Sequence, residues 1–175
     1  MKVSRKIRVL IVDDSLLFRE TLAKEIAKDF GIEVIGTASD PYMARDKILE
    51  LKPDVVTLDV EMPRMDGIAF LKKLMPQYPL PVIVVSSIGK NVFEALDAGA
   101  VDFVTKPDIT KSGGMNSFIN ELIVKIKIAS TAKVGDFKKD YVSAKMVTEK
   151  GHNLSDIIIA IGASTGGTEA IYSVI

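Results

Sequence analysis

The sequence predicts an α/β fold built on a doubly wound parallel sheet, and three observations carry that prediction. Five short apolar runs recur, and the longest of them show no period-two alternation, as expected of strands buried on both faces. Amphipathic stretches with helical spacing separate consecutive runs, so strand and helix alternate strictly. Four of the five runs end on a polar or charged side chain at the start of a loop, where open α/β sheets place their chemistry.

The elements follow in order. Ile7 to Val12 is nearly all β-branched or leucine and ends on Asp13-Asp14. From Ser15 a helix is predicted, with Phe18, Leu22, Ile26 and Phe30 spaced four apart and Gly31 as its stop. Ile32 to Thr37 is the second strand. Pro41 to Leu51 is the second helix, with Asp40 as N-cap and Lys52-Pro53 as the break. Val55 begins a third strand that ends on Asp59. Asp66 to Met75 is a helix, Pro81 to Val85 a strand ending on Ser86-Ser87, and Asn91 to Ala98 a helix closed by Gly99. Val101 to Val104 is the fifth strand and leads into Thr105-Lys106-Pro107. From Met115 the residues Ile119, Leu122, Ile123 and Ile126 mark one face of a fifth helix.

Composition narrows the function. Of 175 residues 47% are hydrophobic and 26% charged, which suits a globular core. Twenty-three basic residues balance 23 acidic ones, so no general affinity for nucleic acid or an anionic membrane is expected. No cysteine is present, which excludes disulfides, thiolate metal sites and a cysteine nucleophile. No apolar run approaches membrane-spanning length and the basic start is too short for a signal peptide, so a cytoplasmic location is expected.

Three domains of character divide the chain: residues 1–129 as the α/β unit, 130–154 as a polar linker, and 155–175 as the start of a second α/β domain. The linker has few large apolar residues and no helical stripe. Asp156 to Ile161 then resumes a strand pattern, Gly162 to Gly167 turns, and Thr168 to Ile175 begins a helix.

The strand ends define one constellation. Asp13, Asp14 and Asp59 offer oxygens to Mg²⁺, and a backbone carbonyl near Glu61 is expected to complete its coordination. Asp59, its charge masked by the metal and by Lys106, is placed to attack a phosphoryl donor and become an aspartyl phosphate. Ser86 can donate to one phosphoryl oxygen and Lys106 can pair with another. Singly, each residue is better read as a helix cap, a turn former or a solvated corner. Jointly they make one Mg²⁺ and phosphoryl site.

Asp13-Asp14, Asp59 followed by Met62-Pro63-x-Met65-Asp66-Gly67, Ser86 and Lys106-Pro107 together resemble the receiver domain of two-component response regulators. The resemblance covers about residues 6 to 128. It implies a flavodoxin-like sheet of order 2-1-3-4-5 with five helices, phosphotransfer to Asp59 from a histidine kinase, and metal held by Asp13, Asp14 and Asp59. It also implies a cis Lys106-Pro107 bond and gives Phe103 the place of a switching aromatic.

Gly162-x-Ser164-x-Gly166, between a predicted strand and a predicted helix, fits a turn that exposes a serine hydroxyl, and also a phosphate-binding or close-packing turn. In the order receiver, linker, Ile161-Gly162-Ala163-Ser164-Thr165-Gly166-Gly167, the chain resembles the chemotaxis protein-glutamate methylesterases. That resemblance implies Ser164 as the nucleophile of a Ser/His/Asp triad, a chemoreceptor cytoplasmic region as substrate, and restraint of the catalytic domain by the receiver until Asp59 is phosphorylated. The single histidine, His152, precedes Ser164 in the linker. These 175 residues are therefore expected to be esterase-inactive. The alternative reading is a stand-alone receiver acting as a phosphorylation-dependent binding module. A transcription regulator is poorly supported, since no helix-turn-helix pattern or basic face follows the linker.

Overall fold

A computed structural model describes residues 5–62, 66–87, 92–107, 114–132 and 134. Among them the chain alternates β1 (Ile7–Val12), α1 (Leu16–Ile26), β2 (Ile32–Ala38), α2 (Pro41–Leu51), β3 (Val55–Asp59), α3 (Gly67–Leu74), β4 (Val82–Ser86), α4 (Val92–Asp97), β5 (Asp102–Thr105) and α5 (Gly114–Ala129). All neighbouring strands pair in parallel, in the order β2-β1-β3-β4-β5. This is the sheet expected from the alternation and from the family resemblance.

The absence of period-two alternation now has its cause. Leu10, Val12, Val56, Leu58, Val82 and Val84 face one core, with Ala44 and Ile48 of α2, Ile68, Leu71 and Leu74 of α3, and Ala95 of α4. Val9, Ile11, Val55, Ile83 and Val85 face a second core, with Leu22 and Ile26 of α1 and Phe118, Leu122 and Ile126 of α5. Both pleat faces must therefore be apolar. Among the described residues no helix is long and apolar enough to cross a membrane.

Chain order reverses between β1 and β3. From β1 the chain steps outward to β2, then crosses back to β3 and continues to β4 and β5. Val12 pairs with Leu58, so Asp13 and Asp59, one residue further on, stand side by side at the carboxyl ends of the central strands. Asp59 in turn pairs with Val85, and Ser86 with Thr105. The crevice expected at such a reversal is thus lined by the predicted residues.

The end of α1 differs from expectation. α1 ends at Ile26, and Phe30, expected on its apolar face, is 93% exposed. The chain tightens there because the Lys28 and Asp29 amides donate to carbonyls three residues back, and Lys127 of α5 holds the Asp29 carboxylate at 2.6 Å. Gly31 is not a left-handed stop; its amide donates to Asp29 Oδ1 at 2.9 Å. The Lys127 hydrogen bond, then the Gly31 amide, holds the Asp29 carboxyl below its ordinary range. Gly99 does close α4 as expected, at φ +104°, where its amide reaches the Leu96 carbonyl and the Ala100 amide the Ala95 carbonyl.

Thr57 on β3 is buried, and its hydroxyl finds no hydrogen-bond partner among the described residues. Valine has the same shape without the unmet polar group. Thr57→Val is expected to stabilise the protein by about 1 kcal/mol, raising the melting temperature by about 3 °C in calorimetry.

Candidate functional site

Four polar residues are buried among those described: Asp13, Thr57, Asp59 and Ser86. Three of them meet at the sheet's carboxyl edge. Asp59 ends β3 and is 1% exposed; Asp13 follows β1 and is 2% exposed. Two ionised carboxylates in a low-dielectric crevice are costly unless cations or hydrogen bonds compensate them.

Local chain geometry supplies part of the compensation. Each aspartate folds back on the backbone two residues ahead. The Ser15 amide donates to Asp13 Oδ1 at 2.9 Å and the Glu61 amide to Asp59 Oδ1 at 3.0 Å. The second oxygen of each turns to Lys106, whose ammonium donates to Asp59 Oδ2 at 2.7 Å and lies 3.0 Å from Asp13 Oδ2. Lys106 arrives there because its own amide bonds the Ser86 carbonyl at 2.9 Å, continuing the β4–β5 ladder past its last pair.

Asp14 is exposed, yet a carboxylate oxygen from each of Asp13, Asp14 and Asp59 lies within 4.8 Å of the other two. Three carboxylates against one ammonium leave two net negative charges. This all-oxygen set, open to solvent on the Asp14 side, fits a hard divalent cation that retains water. The fit rests on residues from two separate parts of the chain, the ends of β1 and β3.

Electrostatics agree with the geometry. Burial raises the Asp13 pKa above its ordinary 3.8, with Asp59 adding to the rise and Lys106 and the Ser15 amide opposing it. Burial also opposes the Lys106 charge, but Asp59 and then Asp13 outweigh it and hold that pKa above the ordinary 10.5. The linkage follows by sign. A proton held more tightly by the folded chain makes Asp13 favour folding most below pH 3.8, and that contribution is lost as pH rises through its raised value. Asp13→Asn, uncharged throughout, is therefore expected to unfold about 3 °C above the unsubstituted protein at pH 7 in EDTA. The gap should narrow at pH 3.5, as read by thermal denaturation at the two pH values.

The remaining predicted residues fall as follows. Ser86 closes β4, buried, one position beyond the Asp59–Val85 pair. Glu61 is exposed and lies two residues past the end of β3. Phe103, in β5, is half-buried against the α2, α3 and α4 core, with the Lys125 ammonium 5.0 Å from its ring centroid. Lys125 also donates to the Phe103 carbonyl at 2.6 Å. Ser164, His152 and the expected linker and second-domain start beyond residue 134 lie outside the described residues. The cis Lys106-Pro107 bond is not found: peptide bonds among the described residues are trans. Trans is the lower-energy form of an X–Pro bond, and with it Lys106 already reaches both carboxylates.

Two contributors were not read from the sequence. Arg19, which looks like a solvated charge between apolar helix positions, donates to the Asp13 carbonyl at 2.6 Å. Phe18, which looks like ordinary core, places its ring centroid 5.0 Å from the Lys106 ammonium. Neither carries a spacing signal, because each acts on a residue distant in sequence or through backbone.

The response regulator receiver domain matches residues 9–112. A protein-glutamate methylesterase/protein-glutamine glutaminase of Syntrophomonas wolfei is 58% identical over 171 residues, which are 98% of this chain and 50% of the relative. One from Syntrophotalea carbinolica is 56% identical over 98% of this chain and 51% of the relative. The chain thus spans about half the length of the curated relatives it matches. Among solved structures, the response regulator domain of Thermotoga maritima CheB is 43% identical with a TM-score of 0.68, covering 74% of this chain and 99% of that one. The CheX–CheY–BeF3–Mg complex of Borrelia burgdorferi aligns at 31% identity and a TM-score of 0.61, over 74% of this chain and 92% of that chain.

Proposed function

Because the chain belongs to the family of response regulator receiver domains, in the form carried by chemotaxis protein-glutamate methylesterases, we propose that Asp59 is the phosphoacceptor of a phosphorylation switch. The observation that carries this reading is the state of Asp59: a carboxylate almost wholly shielded from water, held between an ammonium and a backbone amide, and flanked by two more carboxylates.

The residues divide the chemistry between them. An Asp59 oxygen attacks the phosphorus of a phosphohistidine on a histidine kinase. The P–O bond forms as the P–N bond breaks, and the imidazole leaves with the electron pair. Glu61's amide fixes the Asp59 carboxylate so that its attacking oxygen faces the crevice mouth. Lys106 gives up part of its hold on Asp59 to pair with a transferred phosphoryl oxygen, and the Ser86 hydroxyl donates to another. Asp13, Asp14 and Asp59, with the Glu61 carbonyl, would hold Mg²⁺, which when bound neutralises charge on the phosphoryl oxygens. Similarity to CheY in the CheX–CheY–BeF3–Mg complex supports carrying that chemistry to these positions.

Output follows from displaced side chains. The transferred group draws Ser86 toward Asp59 and leaves room that the half-buried Phe103 ring fills, changing the surface of α4 and β5. Shifting such an equilibrium from mostly off to mostly on takes about 5 kcal/mol, within reach of a few charge-assisted hydrogen bonds of about 1.5–3 kcal/mol each.

In the whole protein this switch would relieve a C-terminal catalytic domain in which Ser164 is the nucleophile toward chemoreceptor glutamyl methyl esters in the cytoplasm. The relatives' names support that activity. The 175 residues hold one histidine, ahead of Ser164, so by themselves they are expected to hydrolyse no receptor ester.

The test is chemical. With Mg²⁺ and acetyl phosphate, followed by borohydride reduction of the acyl phosphate and peptide mass mapping, the label is expected on Asp59. A label on another residue, or none, refutes the assignment.

A further inference from the structure

We propose that Phe18 is a positioning residue for Lys106, its ring acting as a fixed wall that keeps the ammonium over the phosphoacceptor. This rests on the reading of Asp59 and Lys106 given above.

The placement is built, not incidental. Ser15 caps α1 through the Phe18 amide, and Arg19, the next residue, anchors the helix to the Asp13 carbonyl. The Phe18 ring is backed by Phe118 of α5, centroids 5.8 Å apart and planes 43° apart, and Phe118 is 3% exposed. Phe118 thus backs the partly buried Phe18 ring. Its centroid stands 5.0 Å from the Lys106 ammonium, within cation–π range.

The ring supplies something the carboxylates do not. Lysine carries its charge on a flexible four-carbon stem and has three N–H donors. Asp59 and Asp13 engage the ammonium on one side, and both are candidates to share their charge with a metal and, for Asp59, to be esterified. Each of those events weakens the carboxylate pull just when Lys106 must stay in place for the phosphoryl group. An aromatic face attracts the cation through its quadrupole, which is unchanged by metal or phosphoryl binding. It needs no N–H to be withdrawn from the oxygens. Phe18 therefore holds Lys106 through the step in which its other partners change.

The experiment compares the full chain with Phe18→Leu and Phe18→Tyr. Acetyl phosphate serves as donor, so that no kinase contact enters the rate. At saturating Mg²⁺ the phosphorylation rate of Phe18→Leu is expected to fall about five- to tenfold, with Mg²⁺ affinity within twofold of the unsubstituted chain. Phe18→Tyr, which keeps a ring, should restore the rate. Independently, the Lys106 ε-methylene protons should show an upfield ring-current shift in the unsubstituted chain and in Phe18→Tyr, absent from Phe18→Leu. An unchanged rate in Phe18→Leu overturns the proposal. So does equal loss in both variants, which would mark a packing role, or the absence of a ring-current shift in the unsubstituted chain. If the unsubstituted chain takes up no phosphoryl group, the reading of Asp59 fails, while the ring-current shift still decides whether Phe18 holds Lys106.

Discussion

Lys106→Met is expected to destabilise the protein by about 3 kcal/mol and to slow phosphoryl uptake about ten- to hundredfold. The Lys106 side chain is 17% exposed and its ammonium touches both buried carboxylates, so methionine preserves most of the stem packing while deleting the charge. Removing one member of a buried ion pair leaves the other uncompensated, which costs about 3–5 kcal/mol; the open mouth of this crevice puts the cost at the lower end. The kinetic loss corresponds to one charge-assisted hydrogen bond to the phosphoryl group, about 1.5–3 kcal/mol. The same substitution should tighten Mg²⁺ binding, because Lys106 no longer competes for Asp13 and Asp59. Urea unfolding in EDTA and again in excess Mg²⁺ separates these effects: the variant should recover part of its lost stability only with the metal. Equal stability of variant and unsubstituted protein in EDTA would remove Lys106 from its assigned place. The alkaline limb gives a further check. Lys106 contributes its full stabilisation below pH 10.5 and loses it as pH rises through its raised folded value, so the variant's deficit should close there.

Gly67→Ala is the second large effect, and it arises from backbone crowding. Gly67 is the first residue of α3, its amide donating to the Val60 carbonyl at 3.1 Å. A Cβ added there would collide with the Asp59 carbonyl oxygen and come within 2.9 Å of Val60 Cα. Both obstacles are main chain, so no side chain can rotate away. Either α3 retreats from the end of β3 or Asp59 shifts, and close-packed interiors resist both. The expected cost is about 3 kcal/mol in chemical denaturation, with phosphoryl uptake at Asp59 lowered in parallel. An alanine variant with unchanged stability and uptake would show that the loop carries slack the geometry denies.

Much of this site was legible because its parts are terminal events on strands. An apolar run that stops on Asp13 or Asp59 locates a carboxylate at a strand end, and parallel order brings those ends to one edge. The Asp40 and Gly99 signals likewise lie within a turn of the boundary they set. What escaped depends on partners far along the chain. α1 could not be seen to stop at Ile26, since the Lys127–Asp29 contact spans 98 positions. Phe30 keeps the helical spacing of its predecessors and still points to solvent. The Lys106-Pro107 bond, expected to be cis from the family resemblance, is trans here.

Composition and order by themselves determined the alternating parallel sheet, the polarity of each strand's last residue, and hence which groups could meet at the reversal between β1 and β3. Only the tertiary structure decided that Lys106 bridges Asp13 and Asp59, that Arg19 grips the Asp13 backbone, and that Phe18 walls in the ammonium. The physical reason is range. Burial periodicity and capping act within a few residues and are written locally, whereas the compensation of a buried charge is settled by whichever distant side chain the packed fold delivers to it.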